Sequence, residues 1–156
     1  MGEIMSDKSF TTAFVVTQSP EQVFAAVTNP RAWWGEGIAG DTARLGGEFV
    51  YRHGSIHLST QKITDWVPNK KVVWKITQSE LNFVSHKSEW NGTKVIFEIA
   101  RKGENTQLKV THAGLVPQFE CFEACSGGWG FYLNESLKSL IETGKGEPDP
   151  VSTAAT

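Results

Sequence analysis

Residues 106–143 read TQLKVTHAGLVPQFECFEACSGGWGFYLNESLKSLIET, and this stretch decides the fold. Its first part, 106–112, alternates polar and apolar residues and predicts a β-strand. Its last part predicts one long helix over 119–143, because apolar residues recur every three or four positions. The apolar side holds Phe122, Cys125, Trp129, Tyr132, Leu133, Leu137, Leu140 and Ile141. A strand followed by a helix with an aromatic-rich face predicts a helix lying across a curved sheet, with a pocket between them.

The chain before this stretch predicts a first strand, two short helices and a run of antiparallel strands. Ser19 is a good N-cap for the first helix, with Pro20 at its first position and Gln22 completing a capping box. A second short helix is predicted over 31–34. Strands are predicted over 10–17, 48–52, 55–66, 71–77 and 93–101, while an Asn-Gly tight-turn signal precedes the last of them. Segment 81–90 is ambiguous, and an extended edge segment is one interpretation.

These elements predict an α+β helix-grip fold. We expect a bent antiparallel sheet of six to seven strands wrapped around the long C-terminal helix, with the two short helices between the first and second strands. At 156 residues the chain has the length of one domain. We expect a single domain over 9–144, flanked by flexible tails at 1–8 and 145–156.

Composition restricts the class of partner. The net charge of −2 gives no electrostatic case for nucleic acid or an anionic membrane, and no apolar run reaches the length of a membrane span. Six Trp and nine Phe suit a core with a large internal surface. Cys121 and Cys125 form neither a disulfide framework nor a metal-binding pattern. We therefore expect two half-buried thiols in a reduced, cytoplasmic protein.

Specific residues resemble a known superfamily. The matching segments are Pro20 to Phe24, Trp33-Trp34-Gly35, Gly46-Gly47-Glu48-Phe49, Ile63 to Pro68, Val73-Trp74 and Gly92 to Glu98. They look like the SRPBCC superfamily, also called START-like or Bet v 1-like. A second set is similar to the branch related to the activator of Hsp90 ATPase, AHSA1, and consists of Thr111 to Leu115, Cys125, Gly128-Trp129 and Tyr132 to Leu137.

The resemblance implies a deep apolar cavity between the sheet and the terminal helix. Superfamily members bind lipids, sterols, polyketides and other hydrophobic molecules, and a minority are enzymes. The AHSA1 branch takes its name from a two-domain eukaryotic co-chaperone, so a chaperone partner is a further implication. The matched segments correspond to one domain, related to the C-terminal part of that protein.

From fold and alternation together we predict which side chains bound this cavity and contact a small hydrophobic ligand. They are Trp34, Tyr51, Trp74, Phe97, His112, Trp129, Tyr132 and Leu133. The alternative for the aromatic members is that they simply fill the core. Indole N–H and phenol O–H groups need partners when buried, so they are also candidates for orienting a ligand.

No residue set predicts catalysis, a metal site or a cofactor. His53 and His57 lie across a glycine-containing turn without further ligands, so we expect them at the surface or a pocket rim. His112 shares a face with Leu108 and Val110, and a structural core histidine is preferred over a ligand contact or general base. Glu98 is expected on the solvated face. Neither cysteine has the context of a nucleophile, and no G-x-S-x-G or phosphate-binding motif is present.

Three function classes remain open. A non-enzymatic binder of a small hydrophobic molecule is preferred over a hydrolase or cyclase on the same fold, because the acid–base constellation is missing. The third class is a chaperone-linked or regulatory interaction module.

Overall fold

The computed structural model describes residues 9–149. It contains one seven-stranded sheet in which all neighbouring strands are antiparallel, in the order β1-β7-β6-β5-β4-β3-β2. The strands are β1 (Phe10–Val16), β2 (Ala39–Gly40), β3 (Glu48–His53), β4 (His57–Val67), β5 (Lys71–Leu81), β6 (Lys94–Lys102) and β7 (Asn105–Ala113).

Helix α1 (Pro20–Val27) follows the first strand and begins with the predicted capping box. Ser19 Oγ accepts from the Gln22 backbone N–H at 3.2 Å, and Gln22 Oε1 accepts from the Ser19 backbone N–H at 3.0 Å. These two bonds satisfy donors that the first helical turn leaves free. The second short helix is a single 3₁₀ turn, Pro30–Ala32, instead of the predicted 31–34.

The long C-terminal helix, α2, comprises Phe122–Phe131, a π-helical turn at Tyr132–Leu137, and Lys138–Thr143. Its buried side chains at 125, 129, 133, 137 and 141 are each separated by four residues. In a regular α-helix such spacing drifts by about 40° at each step. The wider π turn reduces that drift and keeps the row on the sheet side. Gly144, at φ 84°, ends the helix.

The sheet bends because two β-bulges interrupt the pairing of β4 with β5. The register shifts between Thr60 and Gln61 and again between Ile63 and Asp65. Bulges bend a strand and increase its twist, so the sheet curves around α2. The helix-grip fold predicted from the sequence is therefore confirmed.

Aromatic side chains fill the centre of the space between sheet and helix. Trp74 on β5 is fully buried, and the rings of Trp33 and Trp34 lie parallel to it at centroid distances of 6.1 and 5.7 Å. Phe49 and Phe97 pack edge-on against Trp74 at 5.0 and 4.7 Å. This part of the interior is a packed core, and a pocket lies towards one end of the helix.

Residues 145–149, expected to begin a flexible tail, contact the rest of the domain. The Glu147 N–H donates to Ser136 Oγ at 2.7 Å, and Asp149 forms a parallel bridge with Gly35. An added Cβ at Gly146 would lie 2.3 Å from the Ala32 carbonyl oxygen, so the segment contacts the domain closely. We call residues 145–149 the C-terminal strap. The other tail predictions, for 1–8 and 150–156, lie outside the described residues.

Two further differences concern the middle of the chain. β5 continues to Leu81, beyond its predicted end at 77, and the ambiguous segment 81–90 then forms turns instead of an edge strand. Across residues 9–149, every helix is too short or too polar to cross a bilayer.

Candidate ligand pocket

A pocket of about 270 Å³ opens between the first half of α2 and the adjoining ends of β3 and β4. Its size is just below the range of roughly 300–1,000 Å³ typical of pockets for drug-sized ligands. The lining is mainly apolar and aromatic. It consists of Trp34, Tyr51, His53, Ile56, His57, Phe83, Trp90, Ala124, Cys125, Gly128, Trp129 and Tyr132.

Three tryptophans and a tyrosine form the body of the wall. The Trp34 and Tyr51 rings are stacked with centroids 4.0 Å apart, and Trp129 lies 5.2 Å from Trp34. Trp90 is parallel to Trp129 at 5.9 Å. Mutual stacking holds these rings in place, so the wall is formed before any ligand arrives.

A buried hydrogen-bond chain fixes the orientation of Trp129. Its indole Nε1–H donates to His112 Nδ1 at 2.9 Å, and His112 Nε2 lies 2.8 Å from Thr93 Oγ1. The Thr93 hydroxyl donates to the Trp90 carbonyl oxygen at 2.6 Å, so its oxygen accepts from His112. The Trp129 indole can only donate, so His112 Nδ1 accepts and carries no proton. The single proton of the His112 ring is therefore on Nε2, and the ring is neutral. Its contacts give His112 a positioning role behind the wall.

Burial also opposes a charge on His112. The side chain is fully inaccessible to solvent, and this desolvation lowers the pKa of His112 to about 3. Protonation would place a second donor opposite the Trp129 N–H and break the chain. The hydrogen-bond geometry and the lowered pKa therefore both indicate a neutral His112 ring.

The C-terminal strap adds a polar group at the rim. Asp149 Oδ2 lies 2.5 Å from His53 Nδ1 and accepts from the Tyr51 hydroxyl at 3.4 Å. The Asp149 backbone N–H donates to the Trp34 carbonyl oxygen at 2.9 Å, and its carbonyl accepts from the Glu36 N–H at 2.8 Å. The strap thus holds a carboxylate against two pocket-lining side chains.

Three titratable side chains of the lining, those of Tyr51, Tyr132 and His57, are neutral near pH 7. Burial raises the pKa of Tyr51, and the neighbouring Tyr132 adds to this effect. Burial likewise raises the pKa of Tyr132. Burial and the nearby His53 lower the pKa of His57 to about 3. These three residues therefore present phenol O–H groups and a neutral imidazole rather than ions.

Comparison with protein families decides the relationship. The family described as "Activator of Hsp90 ATPase homolog 1-like protein" matches residues 17–142. The chain belongs to this family. The resemblance drawn from the sequence motifs is thereby confirmed. A search of curated proteins found no significant match.

Several solved structures share the fold of this AHSA1-family chain. The solution structure of the Aha1 dimer from Colwellia psychrerythraea has a TM-score of 0.72 and 25% identity, covering 88% of this chain and 98% of that one. An HSP90 activator from Plasmodium falciparum, PFC0360w, has a TM-score of 0.58 and 21% identity. The match covers 85% of this chain and 93% of that one. CalU16 from Micromonospora echinospora has a TM-score of 0.62 and 17% identity. The match covers 85% of this chain and 74% of that one.

The structure divides the eight side chains predicted to enclose a cavity. Trp34, Tyr51, Trp129 and Tyr132 line the pocket. The other four, Trp74, Phe97, His112 and Leu133, are fully buried behind it. The central space that all eight were predicted to bound is filled by the packed aromatic core. The ligand-binding role of the four lining residues stays a prediction.

Sequence reasoning missed several lining residues. Trp90 lies in the segment left ambiguous at 81–90, beside the Asn-Gly turn, and Phe83 and Ile56 come from turns. An aromatic residue next to a strong turn signal was the available clue for Trp90. Ala124 and Gly128 are small residues on the helix face between larger apolar ones, and they leave the space that the pocket occupies.

His53 and His57, which were expected at the surface or at a pocket rim, both line the pocket. They are opposite each other in the β3–β4 pairing. His57 Nε2 lies 2.9 Å from Ser59 Oγ, and its ring packs edge-on against Trp90. Among residues 9–149, no three His, Cys, Asp or Glu side chains converge as a metal site would require. Glu98 is exposed, as expected.

The prediction of two free thiols is wrong. Cys121 and Cys125 are joined by a disulfide, with their Cα atoms 5.5 Å apart. This separation is ordinary for a disulfide. The first turn of α2 brings the two positions together, an arrangement that general cysteine-spacing patterns do not include. Cys125 also lines the pocket.

The glycines of α2 face open space rather than the sheet. A Cβ added at Gly127, Gly128 or Gly130 would meet no atom within 4 Å. At Gly128 the free space belongs to the pocket. Glycine at this position therefore keeps the pocket open.

Proposed function

We propose that this protein binds a small hydrophobic molecule, with an aromatic part, in the pocket beside α2. The aromatic, preformed pocket wall carries the proposal. Family membership is consistent with such a role, although the relatives' names also include an HSP90 activator. A volume of about 270 Å³ favours a ligand of two fused rings over a sterol.

An unpaired donor in the wall supports the same function. Trp90 Nε1 is buried without a hydrogen-bond partner among the described residues, and Trp90 is only 3% exposed. A buried donor without a partner costs about 1–3 kcal/mol. A ligand with an acceptor oxygen could pair with this N–H, and the pairing would add specificity to the apolar contacts.

Two neighbouring glycines give a matched test. Gly128→Leu places a side chain in the pocket, whereas Gly127→Leu places the same side chain in open space outside the lining. We expect Gly128→Leu to weaken binding of 2-naphthylmethanol about tenfold or more, because the added side chain occupies the site. Tryptophan fluorescence titration measures the affinity, and native mass spectrometry of each purified protein detects a retained ligand.

Gly127→Leu is the control and is expected to bind as the unmodified protein does. Both substitutions add the same side chain to the same helix, so a general effect on α2 would appear in both. Equal affinities for all three proteins, or no binding by any of them, would contradict the proposal.

A second candidate is an interaction module, and one observation favours it. Ile56 and Phe83 at the pocket mouth are 46% and 42% exposed. Exposed apolar side chains beside a pocket are a common feature of protein contact sites. The ATPase rate of an Hsp90, measured with this protein and with its Ile56→Ser/Phe83→Ser variant, tests that candidate.

A further inference from the structure

The charge around the pocket suggests which hydrophobic molecules it prefers. Among the described residues that line it, none is a lysine or arginine, whereas Trp34, Tyr51, Trp90 and Trp129 supply aromatic rings. The face of an aromatic ring carries a partial negative charge, and indole attracts cations best. The wall itself therefore favours positive charge over negative charge.

The C-terminal strap adds a full negative charge behind this wall. The Asp149 side chain is only 12% exposed, and its carboxylate contacts His53 and Tyr51, both of which line the pocket. Backbone hydrogen bonds to Trp34 and Glu36 fix its position. Among the described residues, no lysine or arginine forms an ion pair with this carboxylate.

Two other groups at the pocket supply no positive charge either. His57 is neutral, because burial lowers its pKa to about 3. The N-terminus of α2, the positive end of the helix dipole, is already covered by Glu89. Its carboxylate accepts from the backbone N–H groups of Glu120 and Cys121 at 2.6 and 3.1 Å.

We propose that the pocket selects organic cations: an aromatic ring system bearing an ammonium group, with the charged nitrogen held by the indole rings and by the field of Asp149. This inference rests on the proposed function and adds the ligand's charge to it. A neutral aromatic molecule would gain the same stacking contacts without the electrostatic attraction. An aromatic carboxylate would be repelled.

Three probes with one ring system separate these effects. They are (2-naphthylmethyl)trimethylammonium, 2-naphthylmethanol and 2-naphthylacetate, each titrated calorimetrically into the 156-residue protein. We expect the ammonium probe to bind about tenfold more tightly than the alcohol, the size of a partly desolvated cation–aromatic interaction. The carboxylate should bind most weakly.

Two variants of the strap assign the charge effect. Asp149→Asn keeps an acceptor for Tyr51 and His53 but removes the charge. It should weaken binding of the ammonium probe about threefold or more and leave the affinity for the alcohol unchanged. Glu147→Gln removes an exposed charge from the same strap and should change neither affinity. If both variants weaken binding of the ammonium probe equally, the effect comes from general surface charge, and the role of Asp149 is overturned.

The remaining outcomes are distinct. If the alcohol binds as tightly as the ammonium probe, or the carboxylate binds best, the preference for cations is overturned while the proposed function stands. If none of the three probes binds, both the proposed function and this inference are contradicted.

Discussion

Replacing Trp129 by alanine is expected to lower the free energy of unfolding by about 3–5 kcal/mol and to weaken binding in the pocket. The side chain is 3% exposed and packs against Trp34 and Trp90, so its removal leaves a cavity. It also leaves His112 Nδ1 without its donor. Denaturant unfolding measures the stability, and titration with 2-naphthylmethanol measures the affinity.

Trp129→Phe separates the two contributions. Phenylalanine keeps most of the ring contact but lacks the N–H, so we expect a smaller loss of about 1–3 kcal/mol from the unpaired histidine nitrogen. A loss below about 1 kcal/mol for Trp129→Ala would mean that this side chain is not part of a packed wall. A large loss with unchanged affinity would remove Trp129 from the binding site.

Acid is expected to destabilise the protein through His112. The folded pKa, about 3, lies below the unfolded value of about 6.5, so the unfolded chain takes up the proton first. Stability is therefore constant with respect to this group above pH 6.5 and falls as pH decreases towards 3. Between pH 7 and pH 4 the expected loss is about 2–3 kcal/mol. Half-buried His57 should add a smaller contribution of the same sign.

His112→Gln tests this assignment. Glutamine does not titrate in this range, and its amide can still donate to Thr93. The variant should be less stable than the unmodified protein at pH 7, yet lose less stability on acidification to pH 4. Equal pH dependence in denaturant unfolding of the two proteins would show that His112 is not the responsible group.

Local signals in the sequence predicted several elements of the fold. The Ser19 capping box, the period-2 alternation in β6 and β7, and the Asn91-Gly92 turn each specify structure over a few residues. All three agree with the structure, where Gly92 adopts a φ of 84°. Family motifs then supplied the order of the elements.

The interior of the pocket could not be predicted in the same way. Alternation shows that Trp74 and Phe97 face inward, but it cannot show whether inward-facing rings meet or enclose space. Here they meet, because Trp33 and Trp34 from the 3₁₀ region stack on Trp74. The free volume instead lies beside Gly128, a helix position that has no side chain to fill it.

Long-range contacts account for the other missed features. Asp149 reaches His53 and Tyr51 across a separation of nearly a hundred residues, in a segment whose prolines and polar residues are typical of loose tails. The close contact of Gly146 with Ala32 and hydrogen bonds to Trp34, Glu36 and Ser136 hold that segment in place. No periodic pattern in the sequence encodes such contacts.

The six tryptophans provide the most direct measurement of ligand binding in the pocket. Heteronuclear NMR resolves each indole N–H, and the protein would be titrated with 2-naphthylmethanol. Trp66 is the internal reference, because it lies at the opposite end of β4 from His57, about 25–30 Å along the strand. The proposal predicts that the signals of Trp34, Trp90 and Trp129 shift while that of Trp66 stays unchanged. Unchanged pocket signals at saturating probe, or an equal shift of Trp66, would contradict it.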